Sequence, residues 1–340
     1  MKAAVITGNN KIEMADIPKP EIKNRKGAII KTIGCGVCGS DIIKIKRNLV
    51  PSGTVLGHEV VGIIEQVGLD SNTSLKVGER IAVTHHVPCN NCRYCQQYSY
   101  SMCETFKNTN LEPGGFAEYI YISDAHLQKT AIKVPENLTD LQAAAMEPAG
   151  CMLRAIDRAN INDGQNVLVI GLGFIGLLFV QALKLFTTFV AACDLINERI
   201  DLARRLGADF TLNSINIDEA SDAIKKKIRF RGVDVVVLAS GSSTSVDLAL
   251  KTVRDGGTIL VFSSIPDDNI GYFNNAVYYR ELSIIGAYSS SPGYLPKAMN
   301  LLERNEIKIV DFCQVMDIDE INIAVEKTMT HNAIKVYLRL

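Results

Sequence analysis

The chain has 340 residues, of which 47% are hydrophobic and 21% charged, with a formal net charge of −1. The length suggests two domains, and the composition is that of an ordinary soluble globular protein. There is no basic stripe for nucleic acid and no apolar run of about 18 residues for a membrane span. The N-terminus shows no signal peptide, so the nine cysteines predict thiols in a reducing cytoplasm.

Short strands and turns are predicted for about the first 150 residues. Runs of β-branched residues lie between glycines there, which is typical of an all-β, barrel-like domain. These runs extend from Ala28 to Gly36, Gly57 to Gly68, Val77 to Pro88 and Gly114 to Ile122. The pattern changes near Asp140, where a helical stretch begins and leads into the run NVLVIGLGFIG. That change predicts a second domain.

Apolar strands alternate with amphipathic helices after this point. The candidate strands are Val167–Ile170, Phe189–Cys193, Asp209–Leu212, Val233–Leu238, Thr258–Phe262 and Leu282–Ala287. This alternation predicts an α/β fold with a parallel, doubly wound sheet of the kind that binds dinucleotides. The C-terminal segment, from the run SPGYLPKAMNLLERNEI onward, carries a helix or two and a final strand that could return to the first domain.

Four cysteines lie close together in the run PCNNCRYCQQYSYSMC. Cys89, Cys92, Cys95 and Cys103 have the spacing C-x2-C-x2-C-x7-C, which lets neighbouring thiolates converge on one tetrahedral ion. Four thiolates leave no position for water or substrate, so the spacing predicts a structural zinc that holds a loop together. Disulfides and a four-cysteine iron–sulfur site are the alternatives.

A glycine-rich turn follows the first strand of the second domain. The run GLGFIG, from Gly171 to Gly176, lies between the apolar strand VLVI and a helical pattern. In this context Gly171 allows a tight turn, Gly173 lets backbone N–H groups approach a pyrophosphate, and Gly176 lets the helix pack on the strand. The run, with Phe174 and Ile175, therefore predicts a dinucleotide-binding site.

An acidic residue ends the next predicted strand. Asp194 is placed to bond the hydroxyls of the adenosine ribose, and its charge would repel a 2′-phosphate. NAD is therefore expected rather than NADP. Arg199 is a further candidate to flank the adenosine, with a solvated helix charge as the alternative.

A second metal site is predicted upstream, where GCGVCGSD precedes LGHEVVG. A catalytic zinc needs three protein ligands and one open position. Cys38 and His58, on separate glycine-bounded turns, supply two candidates, and Glu147 in the run MEPAG is the third. From the residues alone, the alternative is a buried cysteine, a capping histidine and a helix-end glutamate.

Taken together and in this order, these motifs resemble those of the zinc-containing medium-chain dehydrogenase/reductase family. The resemblance implies a GroES-like β-barrel catalytic domain, a Rossmann domain and an active-site cleft between them. The expected boundaries are a catalytic domain over residues 1–150 with a zinc lobe at about 86–106, a Rossmann NAD-binding domain over 151–288, and a C-terminal segment, 289–340, that returns to the catalytic domain.

The resemblance also implies roles for the residues of the first motifs. Cys38, His58 and a third residue hold the catalytic zinc, with Glu59 beside the metal. Ser40 matches the hydroxyl that passes on the substrate proton. Asp41 matches the carboxylate that orients the zinc-binding histidine.

The third zinc ligand separates two branches of this family. The alcohol dehydrogenase branch has a cysteine, whereas Glu147-Pro148 resembles the sorbitol, threonine and sugar-alcohol dehydrogenase branch. Glu147 is therefore the predicted ligand, and Glu59, water or Cys151 are the alternatives.

The expected activity is transfer of a hydride between a secondary alcohol, a polyol or sugar alcohol, and NAD. The expected cofactors are NAD and two zinc ions per chain, one catalytic and one structural. The alternatives are a threonine- or simple-alcohol-type dehydrogenase and a non-catalytic NAD-binding member of the family. The complete set of Cys38, Ser40, His58 and Glu59 argues against the non-catalytic reading.

The remaining expectations concern the pocket and the assembly. One of His85 and His86, which precede the cysteine lobe, is a candidate to line the substrate pocket, with an ordinary surface or core histidine as the alternative. Family relatives are dimers or tetramers, so a homodimer or homotetramer is expected. The expected partner is a small alcohol or polyol, with no nucleic acid and no membrane.

Overall fold

The computed structural model describes residues 1–8, 11–185, 189–228, 232–264 and 275–340. These fall into two units: unit 1 comprises Met1–Gly150 with Ser290–Leu340, and unit 2 comprises Cys151–Ser289. No helix in the described ranges combines the length and the hydrophobicity that crossing a bilayer needs.

The N-terminal part of unit 1 is built mainly from antiparallel strands. Its strands are β1 (Lys2–Gly8), β2 (Lys11–Asp16), β3 (Ala28–Gly36), β4 (Glu59–Val67), β5 (Arg80–Val83), β6 (Tyr119–Ile122) and β7 (Ala131–Lys133). Its helices are short: α1 (Gly39–Lys46), α2 (Arg93–Gln96), α3 (Glu104–Asn108), α4 (Asp124–Lys129) and α5 (Asp140–Ala144), with a 3-10 helix at Tyr100–Met102.

The helical stretch predicted from Asp140 is two helices, α5 and then α6 (Met146–Arg158). Pro148 lies in the first turn of α6, where a proline is tolerated. A continuous helix would set the proline ring against the carbonyl of Ala144, four residues earlier. The break between the two helices follows from that clash.

Unit 2 contains a parallel sheet with helices between its strands. The strands are β8 (Asn166–Ile170), β9 (Phe189–Asp194), β10 (Phe210–Asn213), β11 (Val233–Leu238), β12 (Val253–Val261) and β13 (Ser283–Gly286). The helices are α7 (Phe174–Leu183), α8 (Asn197–Arg205), α9 (Ile217–Ile228), α10 (Ser243–Thr252) and α11 (Asn275–Tyr279).

The strand order in this sheet is β10-β9-β8-β11-β12-β13, and every neighbouring pair is parallel. This is the strand order of a dinucleotide-binding sheet, with the order reversing beside β8. The predicted doubly wound fold is therefore confirmed. β12 begins at Val253 rather than at the predicted Thr258. Val253 already pairs with Val233 of β11, and the register then shifts before Thr258 pairs with Val235. Gly256, with a φ of +67°, lies in this irregular part of the strand.

The C-terminal segment contributes α12 (Leu295–Glu303), β14 (Cys313–Asp317), α13 (Ile321–Met329) and β15 (Lys335–Arg339). β15 pairs antiparallel with β3, and β14 pairs parallel with β15. These pairings extend the sheet of unit 1 to the order β14-β15-β3-β4-β5-β7, with β6 also pairing with β3. β15, near the C-terminal end of the chain, thus lies beside β3, and β3 leads into the motif that contains Cys38.

Candidate active site and metal centres

Three side chains that can bind a metal meet where β3 ends and β4 begins. The ligand atoms of Cys38, His58 and Glu59 all lie within 4.8 Å of one another. The strand register explains this meeting, because Gly36 of β3 pairs with Glu59 of β4. The residues just after β3 and just before β4 are therefore adjacent. A thiolate, an imidazole and a carboxylate form a donor set that suits zinc.

Asp41 connects the two motifs that carry these ligands. The Cys38 backbone N–H donates to Asp41 Oδ2 at 3.2 Å, and His58 Nδ1 lies 3.4 Å from Asp41 Oδ1. Burial raises the pKa of Asp41, but the charge and hydrogen bond of His58, together with the charge of Lys44 and the hydrogen bond from the Cys38 N–H, shift it downward overall. For His58 burial lowers the pKa, but the charges and hydrogen bonds of Asp41 and Cys38 together raise it well above its usual value. With Nδ1 facing a carboxylate, Nε2 of His58 is the nitrogen left for a metal.

Glu59 is part of a buried ion pair that the sequence did not reveal. Lys335 Nζ lies 2.6 Å from one oxygen of the Glu59 carboxylate and 2.5 Å from the other, and both side chains are buried. Burial lowers the pKa of Lys335, but the charge and hydrogen bond of Glu59, together with the charges of Cys38 and Cys313, raise it overall. The β15–β3 pairing, with Tyr337 opposite Gly36, places Lys335 beside the residues that follow β3.

The other predicted residues of this motif lie on helices. Ser40 is exposed in the first turn of α1. Glu147, the predicted third ligand, is buried in the first turn of α6 and is not one of the three mutually close residues, Cys38, His58 and Glu59. Cys151 is buried further along α6.

His85 and His86 take different positions. Val83 of β5 pairs with Val60 of β4, so the residue two positions beyond Val83 lies next to His58. The rings of His85 and His58 are accordingly 4.6 Å apart, centroid to centroid. The ring of His86 packs against Phe106 of the cysteine lobe, with a distance of 4.8 Å between the ring centroids. Burial and the charge of His58 hold the pKa of His85 well below its usual value.

The four-cysteine run forms a compact lobe with its sulfurs gathered together. The Sγ atoms of Cys89, Cys92, Cys95 and Cys103 all lie within 4.8 Å of one another, with Cys92–Cys95 at 3.6 Å and Cys89–Cys95 at 3.9 Å. A tetrahedral zinc with ~2.3 Å bonds would separate its sulfurs by about 3.8 Å, whereas a disulfide needs about 2.05 Å. No cysteine of the chain is in a disulfide, and all nine lie within the described ranges. The lobe therefore fits a tetrahedral metal site.

In unit 2 the three glycines of the G-x-G-x-x-G run have three different surroundings. Gly171 has a φ of +92°, which favours glycine. A Cβ on Gly176 would lie 1.9 Å from the carbonyl oxygen of Gly171, so close packing requires glycine there. Gly173 has a φ of −69°, and a Cβ there would meet nothing within 4 Å. Neither conformation nor protein packing requires glycine at 173, and the open space at the start of α7 fits a bound pyrophosphate.

Asp194 ends β9 beside this turn. Its Oδ2 accepts a hydrogen bond from the Leu172 backbone N–H at 2.6 Å, and its Oδ1 accepts from the N–H groups of Leu195 and Ile196. A carboxylate has about four acceptor positions, so one remains for a ligand hydroxyl. Arg199 is half-buried in the first turn of α8, two residues from the start of that helix.

Comparison with known proteins identifies the family. The model of the alcohol dehydrogenase GroES-like domain matches residues 24–136, and that of the zinc-binding dehydrogenase domain matches residues 175–304. Fold and sites define an oxidoreductase that uses zinc and a nicotinamide cofactor. The chain belongs to the zinc-containing alcohol dehydrogenases of the medium-chain dehydrogenase/reductase family, as its motifs predicted.

Several relatives are similar along nearly the whole chain. The "Probable D-xylulose reductase A" of Aspergillus fumigatus is 30% identical over 318 residues, which cover 90% of this chain and 87% of that protein. The galactitol-1-phosphate dehydrogenase of Escherichia coli is 26% identical, with a TM-score of 0.86 over 100% of both chains. The acetophenone reductase of Geotrichum candidum, in complex with NAD, is 26% identical with a TM-score of 0.87, covering 100% of this chain and 97% of its own.

Proposed function

We propose that this protein is a zinc-dependent polyol dehydrogenase that transfers a hydride between a secondary alcohol of a polyol or sugar alcohol and NAD. The observation that carries this proposal is the meeting of Cys38, His58 and Glu59 within 4.8 Å, next to Asp41. A reductase of xylulose and a dehydrogenase of galactitol 1-phosphate among the relatives support the polyol class.

The geometry favours Cys38, His58 and Glu59 as the ligands of the catalytic zinc. Glu59 replaces Glu147 in this assignment because its carboxylate lies with the other two donors. Three protein ligands leave the fourth position of a tetrahedral zinc open for substrate. Glu147, which is buried, is then outside the proposed ligand set.

When bound, the zinc supplies a Lewis acid for the alcohol oxygen and NAD supplies the hydride acceptor. The protein's own residues hold the reactants and move the proton. Asp41 keeps the imidazole of His58 in the orientation that a metal ligand needs. Ser40 is exposed, two residues after Cys38. Its hydroxyl would accept the proton that the alcohol releases and pass its own proton outward through a ribose hydroxyl of the cofactor.

Asp194 carries the preference for NAD in this proposal. Its remaining acceptor position bonds a ribose hydroxyl, and its negative charge disfavours the 2′-phosphate of NADP. The backbone of the turn at Gly171, Gly173, Phe174, Ile175 and Gly176 binds the pyrophosphate at the start of α7. Arg199 flanks the adenosine.

A second zinc in the cysteine lobe completes the metal content at two ions per chain. We assign residues 1–150 and the returning segment 289–340 to the catalytic domain, and residues 151–288 to the NAD-binding domain. These domains correspond to units 1 and 2, with only Ser289 on the other side of the boundary. The free state of all nine cysteines supports a reducing compartment such as the cytoplasm. We expect a homodimer or homotetramer, and light scattering that finds a monomer at working concentration would overturn that expectation.

The test is NADH formation by zinc-loaded protein across polyols, sugar alcohols and their phosphates, threonine and simple alcohols. A chelator-sensitive signal concentrated on polyols is the expected result. A signal on threonine or simple alcohols alone would overturn the polyol assignment. Silence across the panel, with both cofactors bound, would favour a non-catalytic NAD-binding protein.

A variant pair locates the activity at the proposed metal. Cys38→Ser should abolish the signal and remove one of the two zinc ions. Cys151→Ser, which changes a buried cysteine outside the proposed ligand set, should keep both zinc ions. Full activity and full zinc content in Cys38→Ser would refute the proposed catalytic site.

A further inference from the structure

A row of aromatic rings connects the cysteine lobe to the proposed zinc ligand His58. The ring of Phe106 lies 4.8 Å from that of His86, His86 lies 3.8 Å from His85, and His85 lies 4.6 Å from His58, centroid to centroid. We call these four residues the ring row. All of them belong to unit 1.

The lobe end of the row depends on the metal of the lobe. Phe106 is buried against Cys95 and Cys103, and these three residues form a small cluster of their own. The lobe helices have four, three and five residues, too few to be stable by themselves. A domain of this kind takes its folding free energy from the metal. The position of Phe106 therefore follows from metal binding by the four thiolates.

His86 is fastened to the same end of the row. Its Nδ1–H donates to the carbonyl of Thr109 at 2.6 Å, since a carbonyl can only accept. The Thr109 hydroxyl in turn donates to the Phe106 carbonyl at 3.2 Å and accepts from the Val87 N–H at 2.9 Å. The ring of His86 and the backbone of Val87 are thus both hydrogen-bonded to Thr109, the residue that follows α3.

His85 is held differently. Its carbonyl accepts a hydrogen bond from Nε2–H of the buried His126 at 3.0 Å, and Nδ1 of His126 accepts from the backbone N–H of Ser123. These bonds fix the backbone of His85 but not its ring. Within the described part of the chain, the buried Nδ1 of His85 has no hydrogen-bond partner. The orientation of the His85 ring is therefore set by packing between His86 and His58.

We infer that Phe106 and His86 are positioning residues for the catalytic zinc: through His85 they hold the ring of His58 in its ligating orientation. Occupancy of the lobe then raises the metal affinity of the catalytic site. Because binding coupling is reciprocal, a metal at the catalytic site raises the affinity of the lobe by the same factor. This inference rests on the proposed function for the identity of the catalytic metal.

The first test measures the zinc affinity of the catalytic site by chelator competition in the full-length protein. Changing the support of a metal-binding histidine typically lowers affinity about 10- to 100-fold, and we expect His86→Ala to do so. His86→Phe keeps the ring and loses only the bond to Thr109, so it should stay near the wild type. Tyr94→Ala is the matched control, because Tyr94 lies in the same lobe and is 52% exposed.

Unchanged zinc affinity in His86→Ala would overturn the inference. So would an equal loss in Tyr94→Ala, because that result would indicate a general loosening of the lobe. If His86→Ala fails to fold, Phe106→Leu makes a smaller change at the other contact of the row. It should lower the zinc affinity of the catalytic site in the same direction, and an unchanged value would again refute the coupling.

A double-mutant cycle separates coupling from general destabilisation. Cys103→Ser, which opens the lobe site, should weaken zinc at the catalytic site in the wild-type background and have little further effect when His86 is already alanine. Additive losses would refute the coupling. If Cys38→Ser keeps the zinc content of the wild-type protein, the proposed catalytic site itself is refuted, so the two failures are distinguishable.

Discussion

A buried carboxylate needs a counter-charge, and Glu59 has two candidates for it. One is Lys335, which forms a buried ion pair with it, and the other is the metal shared with Cys38 and His58. Removing one partner of a buried pair leaves an uncompensated charge, whose cost is large unless another charge replaces the partner. The stability that Lys335 contributes should therefore differ between the metal-free and the metal-bound protein, and this difference can be measured.

Lys335→Met should destabilise the metal-free protein by about 3–5 kcal/mol, since it leaves Glu59 buried and unpaired. The loss should be smaller in the zinc-loaded protein, where the metal supplies positive charge. Urea unfolding with and without a chelator measures both values. Lys133→Met, which breaks the exposed pair with Glu79, is the control and should change the unfolding free energy far less than Lys335→Met does. Equal losses for Lys335→Met with and without zinc would indicate that Glu59 does not reach the metal.

Asp194→Asn tests the cofactor preference at a single residue. The amide keeps one acceptor oxygen but removes the charge that opposes a 2′-phosphate. We expect the ratio of kcat/KM for NAD to that for NADP to fall about tenfold or more, which corresponds to about 1.4 kcal/mol. Asp201→Asn, on the exposed face of α8, should leave the ratio unchanged. A ratio unchanged in Asp194→Asn as well would assign cofactor selection to other residues.

At the scale of one element, the turn from β8 to α7 contains glycines that the fold requires and one that it does not require. Gly171 and Gly176 are required by the fold itself, one by its φ of +92° and the other by its contact with a backbone carbonyl. Gly173 is required by neither, which is consistent with the proposal that this glycine leaves space for the pyrophosphate. The same motif therefore contains two kinds of glycine, which substitution to alanine can distinguish.

Gly173→Ala should leave the unfolding free energy unchanged or raise it by about 0.4–1 kcal/mol, because its φ suits alanine. NAD binding should weaken at least about tenfold, since the new methyl group occupies the space of the pyrophosphate. Gly176→Ala should instead destabilise the protein by about 1–3 kcal/mol through overpacking. Thermal unfolding and NAD titration measure the two effects. NAD affinity unchanged in Gly173→Ala would place the pyrophosphate elsewhere.

At the scale of the whole molecule, the two groups of candidate metal ligands lie in unit 1, and the turn proposed to bind the dinucleotide lies in unit 2. The metal groups differ in what they expose. Four thiolates would fill all four positions of a tetrahedral ion in the lobe, whereas the three donors proposed at Cys38, His58 and Glu59 would leave one position open. The two ions should therefore contribute differently to stability and to activity.

Metal analysis should find two zinc ions per chain in the wild-type protein and one in either Cys38→Ser or Cys103→Ser. Cys103→Ser should lower the thermal midpoint more, because the buried cluster of the lobe consists of only Cys95, Cys103 and Phe106 and the metal supplies the rest of its folding free energy. Cys38→Ser should lower activity more, since it removes a ligand of the proposed catalytic site. Elemental analysis, thermal unfolding and NADH formation check the three parts. Two zinc ions retained in Cys103→Ser would refute the structural zinc site.

Features whose parts are close in the sequence were predicted from it. The cysteine lobe, the glycine turn after β8 and the doubly wound sheet each depend on short spacings or a local periodicity. These local patterns, with the order of the motifs, also sufficed to predict the family. The break between α5 and α6 was missed, although Pro148 was a visible signal for it.

The composition of the active site was decided by tertiary structure. Lys335 and Glu59 are 276 residues apart, and no local pattern connects them. The register of β4 with β3 places Glu59 close to Cys38, and the register of β4 with β5 places His85 next to His58. The pairing of β15 with β3 brings Lys335 to the same place. Pairing between distant strands depends on the packing of the whole sheet. The sequence therefore determined the kinds of site in this protein, and the long-range strand register decided which residues complete them.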